Sequence, residues 1–123
     1  MKGKPWVLLL LLLALLTACQ DAGAGDPAQV VEDYLQAKVA GDAVTIGALL
    51  CSDMEAVLER EVNTFATVSG AELEGMTCTL AEAGRVTCDG AIVALYGSEE
   101  TRFPLTAYRV VEEDGAWKWC GEG

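Results

Sequence analysis

The chain contains the segment Thr77-Cys78-Thr79-Leu80-Ala81-Glu82-Ala83-Gly84-Arg85-Val86-Thr87-Cys88. This segment predicts a β-hairpin with a defined register. A three-residue loop with Gly84 in the left-handed conformation joins two strands, and the numbers of paired residues then sum to 166. Cys78 therefore lies opposite Cys88, and neighbouring strands come close enough at a non-hydrogen-bonded pair to allow a disulfide. We expect the second half of the chain to be antiparallel sheet that contains a Cys78–Cys88 bond.

A second hairpin is predicted around Asp114-Gly115, a strong two-residue turn signal that joins Phe103–Glu112 to Trp117–Cys120. A two-residue turn places both tryptophans of the second strand on the same face of the sheet as Tyr108. A slip of one residue would exchange the two faces. The sequence therefore leaves open which face meets the rest of the domain.

The residues between the two hairpins form a nearly continuous apolar run, Ala91–Tyr96, which is typical of a central strand. Gly90, directly before the run, is predicted to form a β-bulge. We expect Glu99 and Glu100 to lie in the loop that follows. A calcium loop needs acids at alternating positions around a glycine, and these acids do not have that spacing.

The first half of the domain predicts three helices. Asp26 is placed to cap the first helix, with Pro27 at its first position, and Gly41 ends it. Asp42 is placed to cap a second, shorter helix, and Ser52-Asp53-Met54-Glu55 is a capping box that opens a third. The predicted fold class is therefore α+β, with N-terminal helices packed on one face of a curved antiparallel sheet in a cone-like half-barrel.

The N-terminus has the layout of a secretory signal peptide, with Lys2 and Lys4, an apolar run over Trp6–Leu16 and small residues before Cys19. Its Leu16-Thr17-Ala18-Cys19 matches the lipobox of bacterial lipoproteins. This resemblance implies that Cys19 carries a diacylglyceryl thioether and becomes the new N-terminus. A membrane-spanning anchor is disfavoured, because eleven apolar residues at about 1.5 Å each cross only half of a hydrocarbon core of about 30 Å.

These boundaries predict a signal peptide over residues 1–18, a lipid-anchored tether over 19–25 and one domain over 26–123. Loss of Lys2 and Lys4 changes the net charge from −11 to −13. Such a surface repels phosphates, so we expect no nucleic-acid binding, and solubility is the simplest role of the acids. We expect the protein to be exported and anchored through lipid at Cys19 on the extracytoplasmic side of either the cell membrane or the outer membrane.

Four cysteines remain once Cys19 is assigned to lipid, and an even number in an exported domain suggests disulfides. With Cys78 and Cys88 paired in the hairpin, Cys51 and Cys120 form the second pair. A zinc site is the competing interpretation. It is disfavoured because the chain has no histidine and no Cys-x-x-Cys pair.

Two stretches resemble lipoproteins of the nuclear transport factor two-like (SnoaL-like, cystatin-like) superfamily. The first is Val30-Val31-Glu32-Asp33-Tyr34-Leu35 with Ala40-Gly41-Asp42 and Leu49-Leu50-Cys51, and the second is Tyr108-Arg109-Val110-Val111 with Asp114-Gly115-Ala116-Trp117-Lys118-Trp119-Cys120. The resemblance implies a cone with an internal pocket, often dimeric, which serves enzymes, ligand carriers and interaction modules alike.

Acid–base chemistry in the cone is the alternative function. The absence of histidine removes the Asp–His dyads of the SnoaL-like enzymes. Asp89 could project inward beside Tyr34 or Tyr96, although a solvent-facing aspartate and core tyrosines are the simpler interpretation. A cystatin-like protease inhibitor is a weaker alternative, because Ala66-Thr67-Val68-Ser69-Gly70 lacks the glutamine of the inhibitory Gln-x-Val-x-Gly loop.

We expect a non-enzymatic module, with neither metal nor cofactor, that binds a small apolar ligand or an envelope protein. A homodimer is the assembly that the resemblance implies. The candidate pocket or partner surface is aromatic and comprises Tyr34, Tyr96, Tyr108, Trp117 and Trp119.

Overall fold

The structure, a computed structural model, describes residues 25–123. The helical elements are α1 (Pro27–Ala40), α2 (Ala43–Leu49), a 3₁₀-helix (Ser52–Val57) and α3 (Leu58–Val62). The strands are β1 (Ser69–Glu82), β2 (Arg85–Tyr96), β3 (Glu99–Pro104), β4 (Ala107–Glu113) and β5 (Ala116–Glu122). The fold class is as predicted, with three α-helices packed on a five-stranded antiparallel sheet. The predicted signal peptide and the lipidated Cys19 lie outside the described residues.

Helix α1 begins and ends where the sequence predicts. The Asp26 carboxylate accepts a hydrogen bond from the Ala28 backbone N–H at 3.0 Å, and Pro27 follows at the first helical position. Gly41 ends the helix with φ +66°, a left-handed conformation in which its N–H reaches the carbonyls of the last turn. Asp42 then caps α2 through the Thr45 N–H, also as predicted. Short-range capping chemistry therefore defines these two helices.

The predicted capping box at Ser52 is wrong. The segment that it opens is a 3₁₀-helix without a side-chain cap, followed by the five residues of α3. The Ser52 backbone N–H and hydroxyl both donate to the Glu113 carboxylate, at 3.1 and 2.8 Å, so neither group takes part in a capping box with Glu55. This tertiary contact fastens the segment to the end of β4, and it replaces the local cap.

The sheet has the order β1-β2-β4-β5, and β3 also pairs with β2. Strand β2 uses one edge for two partners: Arg85–Thr87 pair with β4, and Ala91–Tyr96 pair with β3. The central-strand prediction is thus confirmed. The single strand predicted over Phe103–Glu112 is wrong, because the chain leaves strand conformation at Leu105 and Thr106.

Gly90 lies at the point where β2 changes its partner from β4 to β3. The register between β1 and β2 shifts between Glu74 and Thr77, so β1 carries the extra residue and Gly90 lies opposite it. Gly90 has φ +102°, and a Cβ there would lie 2.5 Å from the Glu74 carbonyl oxygen. A glycine is required at this close approach. The bulge was predicted, and the structure places its extra residue on the partner strand.

Both predicted hairpin registers are present, but the predicted three-residue loop of the first hairpin is wrong. Its turn has two residues, Ala83-Gly84, and an extra residue in β1 at Ala81 restores the predicted register from Leu80 onwards. Cys78 lies opposite Cys88 with Gly84 at φ +76°, and Val110 lies opposite Trp119 across a turn in which Asp114 and Gly115 have φ +53° and +78°. Glu99 and Glu100 were predicted in a loop, but they start β3, because the turn before them occupies only two residues.

The cysteines are joined in the predicted pairs, Cys78–Cys88 and Cys51–Cys120. The Cα atoms of Cys78 and Cys88 are 4.1 Å apart, which is typical of a non-hydrogen-bonded pair. The Cys78 N–H therefore points away from β2, and the Glu32 carboxylate of α1 accepts it at 3.1 Å. Helix α1 thus covers part of the exposed edge of β1.

The face of the sheet that carries Trp119 is the one that meets the helices. Trp119 is 3% exposed and stacks on Tyr34 of α1, with the ring centroids 4.0 Å apart. The Cys51 N–H donates to the Trp119 carbonyl at 2.9 Å, beside the Cys51–Cys120 bond. The structure thereby settles the orientation of the closing hairpin. Within residues 25–123 no helix has the length and apolar character needed to cross a membrane.

Candidate functional site

A pocket of about 220 Å³ lies between α1, the segment after α3 and the inner face of the sheet. Most of its wall is aromatic or aliphatic, and Lys38 and Glu122 are its charged residues. The lining residues are Leu35, Lys38, Thr64, Phe65, Ile92, Tyr96, Phe103, Pro104, Leu105, Tyr108, Trp119 and Glu122. The volume is below the usual range of about 300–1,000 Å³ for ligand sites, so only a small ligand fits.

Regular spacing brings these residues to one place. Leu35 and Lys38 are three residues apart in α1 and therefore share a face of the helix. Tyr108 and Glu122 lie directly opposite each other in the ladder of β4 and β5, so their side chains share a face of the sheet. Strand β2 pairs with both β3 and β4, and both of these strands contribute to the wall.

The five aromatic residues proposed from the sequence separate into three groups. Tyr96, Tyr108 and Trp119 line the pocket. Tyr34 is fully buried and lies behind the wall, stacked on Trp119, and we call this pair the buried stack. Trp117 is half-buried and packs against the core without lining the pocket.

Three aromatic side chains at the pocket mouth form what we call the aromatic rim: Phe65, Tyr96 and Phe103. Phe103 contacts both of the others edge to face, with centroid distances of 6.1 Å to Phe65 and 6.2 Å to Tyr96. Tyr96 is 47% exposed and Phe103 is 37% exposed. Large apolar rings at such exposure are available for contact with another molecule.

A buried polar network lies behind the pocket, and its central residue is Glu61, which is 4% exposed. The Tyr34 hydroxyl and the Lys38 ammonium both donate to Glu61 Oε1, the latter at 3.1 Å. Arg60 Nε lies 3.6 Å from the other carboxylate oxygen. The Lys38 ammonium is also 5.8 Å from the ring centroid of Trp119. The network therefore joins α1 and α3 to the buried stack.

The pKa shifts follow from these contacts. Burial is the largest influence on Glu61 and raises its pKa, but the hydrogen bond from Tyr34 and the charges of Lys38 and Arg60 outweigh burial and lower the pKa overall. Burial and the Glu61 carboxylate together raise the pKa of the Tyr34 hydroxyl far above its usual range. Near neutral pH, Glu61 is ionised and Tyr34 keeps its proton.

The sequence-based search missed Glu61, although a signal exists. Leu58, Glu61, Val62 and Phe65 follow the spacing i, i+3, i+4 and i+7 of one helical face, so a carboxylate occupies an otherwise apolar position. A charged residue there needs buried partners. Asp89, the carboxylate considered for the alternative function, is exposed and does not line the pocket, in agreement with the simpler interpretation of a solvent-facing aspartate.

Two further polar groups belong to the pocket wall. Burial raises the pKa of the Tyr108 hydroxyl, and the neighbouring Glu122 charge adds to this effect. The buried Trp119 indole N–H has no hydrogen-bond acceptor within residues 25–123.

In the same part of the chain, no group of three or more histidine, cysteine, aspartate or glutamate residues is arranged to hold a metal ion.

The fold is similar to that of a solved structure, an NTF2-like protein of unknown function in nutrient uptake from Rhodospirillum rubrum. The TM-score is 0.51 at 19% sequence identity, and the match covers 80% of this chain and 96% of that chain. At this identity the similarity shows the NTF2-like fold alone. No family model matches the sequence, and no curated protein matches it significantly.

Proposed function

We propose that this protein is a lipid-anchored module of the cell envelope that binds a small, largely apolar ligand in the pocket between α1 and the sheet, without catalysis. The observation that carries the proposal is the pocket itself, with about 220 Å³ of space, an apolar wall and an exposed aromatic rim. Concave, mostly apolar sites with few polar groups are the usual form of small-molecule sites in proteins.

The state of the buried carboxylate favours binding over acid–base catalysis. A general base needs to reach the substrate and to have a pKa near the working pH. Glu61 does not line the pocket, its Oε1 already accepts two hydrogen bonds, and its pKa is lowered. The Tyr34 hydroxyl is committed to the same carboxylate. These contacts suit a structural role.

The lipobox and the cysteines support the location. Two disulfides are compatible with an oxidising compartment outside the cytoplasm. Acyl chains on Cys19, each buried CH₂ contributing about 0.8 kcal/mol, would hold the protein on a membrane. The similar Rhodospirillum rubrum protein is described as one in nutrient uptake. Capture of a small solute near the membrane is a role of the same kind.

Native mass spectrometry of the exported, processed protein tests the binding proposal. The expected spectrum shows the chain with a retained small molecule or, after addition of a small neutral aromatic such as benzyl alcohol, a saturable adduct. Leu105→Trp, which fills the pocket from its half-buried wall, should abolish the adduct. Failure of any small molecule to bind would favour the alternative of an envelope-protein partner on the aromatic rim.

Detergent-phase partitioning tests the anchor. The wild-type chain should enter the detergent phase, and Cys19→Ala should remain in the aqueous phase. Thr17→Ser changes the same four-residue stretch without removing the cysteine and serves as the control. Partitioning of Cys19→Ala into detergent would overturn lipid attachment.

A further inference from the structure

We propose that the pocket selects an organic monocation, such as a small quaternary or alkylated ammonium compound, over a neutral molecule of the same shape. This inference rests on the proposed binding function and names the chemical class of its ligand. It follows from three observations: the number of aromatic rings in the wall, the unequal pairing of its two charged residues, and the volume.

Aromatic rings make up much of the pocket wall: Phe65, Tyr96, Phe103, Tyr108 and Trp119. The face of an aromatic ring carries partial negative charge and attracts a cation, and cages of such rings recognise quaternary ammonium groups. Trp119 already contacts Tyr34 and the Lys38 ammonium. The other four rings lack such a cation partner among the described residues and surround the space that a ligand would fill.

The two charged residues of the wall differ in their partners. Lys38 forms an ion pair with Glu61 at 3.1 Å, and Arg60 shares the same carboxylate at 3.6 Å, so the charge of Lys38 is only partly balanced. Glu122 forms no ion pair with a lysine or arginine among residues 25–123. The nearby Arg85 is engaged with the Gly123 carbonyl and Glu82. Glu122 is an exposed carboxylate without an ion-pair partner in the described part of the chain, and it brings a negative charge to the pocket beside Tyr108.

The net charge of the whole chain also favours a cationic ligand over an anionic one. A net charge of −11 attracts cations towards the surface and repels anions. An anionic ligand would be repelled by the Glu122 carboxylate, while Lys38 is already paired with Glu61. The volume of about 220 Å³ equals roughly seven water molecules at about 30 Å³ each, which fits a small ammonium compound.

Calorimetric titration of the exported protein in nonionic detergent with choline and with 3,3-dimethyl-1-butanol tests the inference. The two compounds have the same shape, but only choline is charged. We expect choline to bind about five times more tightly or better, as cation–π contacts at a partly open site allow. Glu122→Gln should weaken choline binding about threefold and leave the neutral compound unchanged.

Glu112→Gln provides the matched control, because Glu112 is an exposed glutamate near the same hairpin that does not line the pocket. It should change neither affinity. Equal or tighter binding of the neutral compound would overturn the cation inference and leave the binding function intact. Binding of benzyl alcohol but of neither test compound would also overturn it. Failure of all three compounds to bind would overturn both proposals.

Discussion

The buried stack and the aromatic rim both consist of aromatic residues, but they differ in ring geometry and in exposure to solvent. Tyr34 and Trp119 lie parallel and are buried, and the Tyr34 hydroxyl donates to Glu61. Tyr96 and Phe103 meet edge to face and remain partly exposed. A buried aromatic pair stabilises the fold, and its polar atoms need hydrogen-bond partners because they are removed from water. An exposed one contributes less to stability and is free to contact a ligand.

The largest expected effect is at the centre of the buried stack. Trp119→Ala should lower the free energy of unfolding by about 3–5 kcal/mol, because it opens a cavity against Tyr34. Trp117→Ala is the matched control on the same strand and should cost distinctly less, since Trp117 is only half-buried. Urea unfolding measures both. Equal losses of unfolding free energy would mean that the stacked ring of Trp119 contributes no more to stability than the half-buried ring of Trp117.

The hydrogen bond beneath the stack gives the next largest effect. Tyr34→Phe keeps the stacked ring but leaves the buried Glu61 carboxylate without one of its donors, at a cost of about 1–3 kcal/mol. Tyr96→Phe removes a hydroxyl from the partly exposed rim and should change the unfolding free energy by less than about 0.5 kcal/mol. A similar loss in the two variants would show that the Tyr34 hydroxyl is not structurally required.

The lowered pKa of Glu61 predicts how the stack responds to acid. A carboxyl group whose pKa is lower in the folded state stabilises the fold above its unfolded value, about 4.3, and this stability is lost as the pH falls through the folded pKa. The stability difference between wild type and Glu61→Gln should therefore be constant above about pH 5 and shrink below about pH 4. Urea midpoints across that range measure it, and a difference that grows in acid would refute the assignment.

Local rules predicted the elements whose causes are local. Asp26, Gly41 and Asp42 define helix ends through bonds that span a few residues, and the turns at Gly84 and Gly115 define the hairpin registers. The Cys78–Cys88 pair followed from the register of the first hairpin, and Cys51–Cys120 was the pair that remained. The α+β class was predictable for the same reason.

The remaining features depend on distant partners. Ser52 leaves its predicted cap for Glu113, which is 61 positions away. The long strand predicted over Phe103–Glu112 is interrupted after Pro104, which has no N–H to donate, and β2 changes partner near Gly90. The role of Glu61 depends on Tyr34, which is 27 positions away. Of the candidate site, the aromatic composition was predictable and the charge pairing was not.

The smallest effect on stability is expected at the rim, where the effect on binding should be clear. Tyr96→Leu keeps an apolar side chain and removes the aromatic face, so the unfolding free energy should change by less than about 0.5 kcal/mol. Choline affinity should nevertheless fall by about twofold or more, because one ring of the proposed cage is lost. The neutral 3,3-dimethyl-1-butanol should bind Tyr96→Leu as it binds wild type, since it depends on apolar contact alone. If both compounds lost affinity together, the rim would act through its shape, and if neither did, the ligand would lie deeper, against Tyr108 and Trp119.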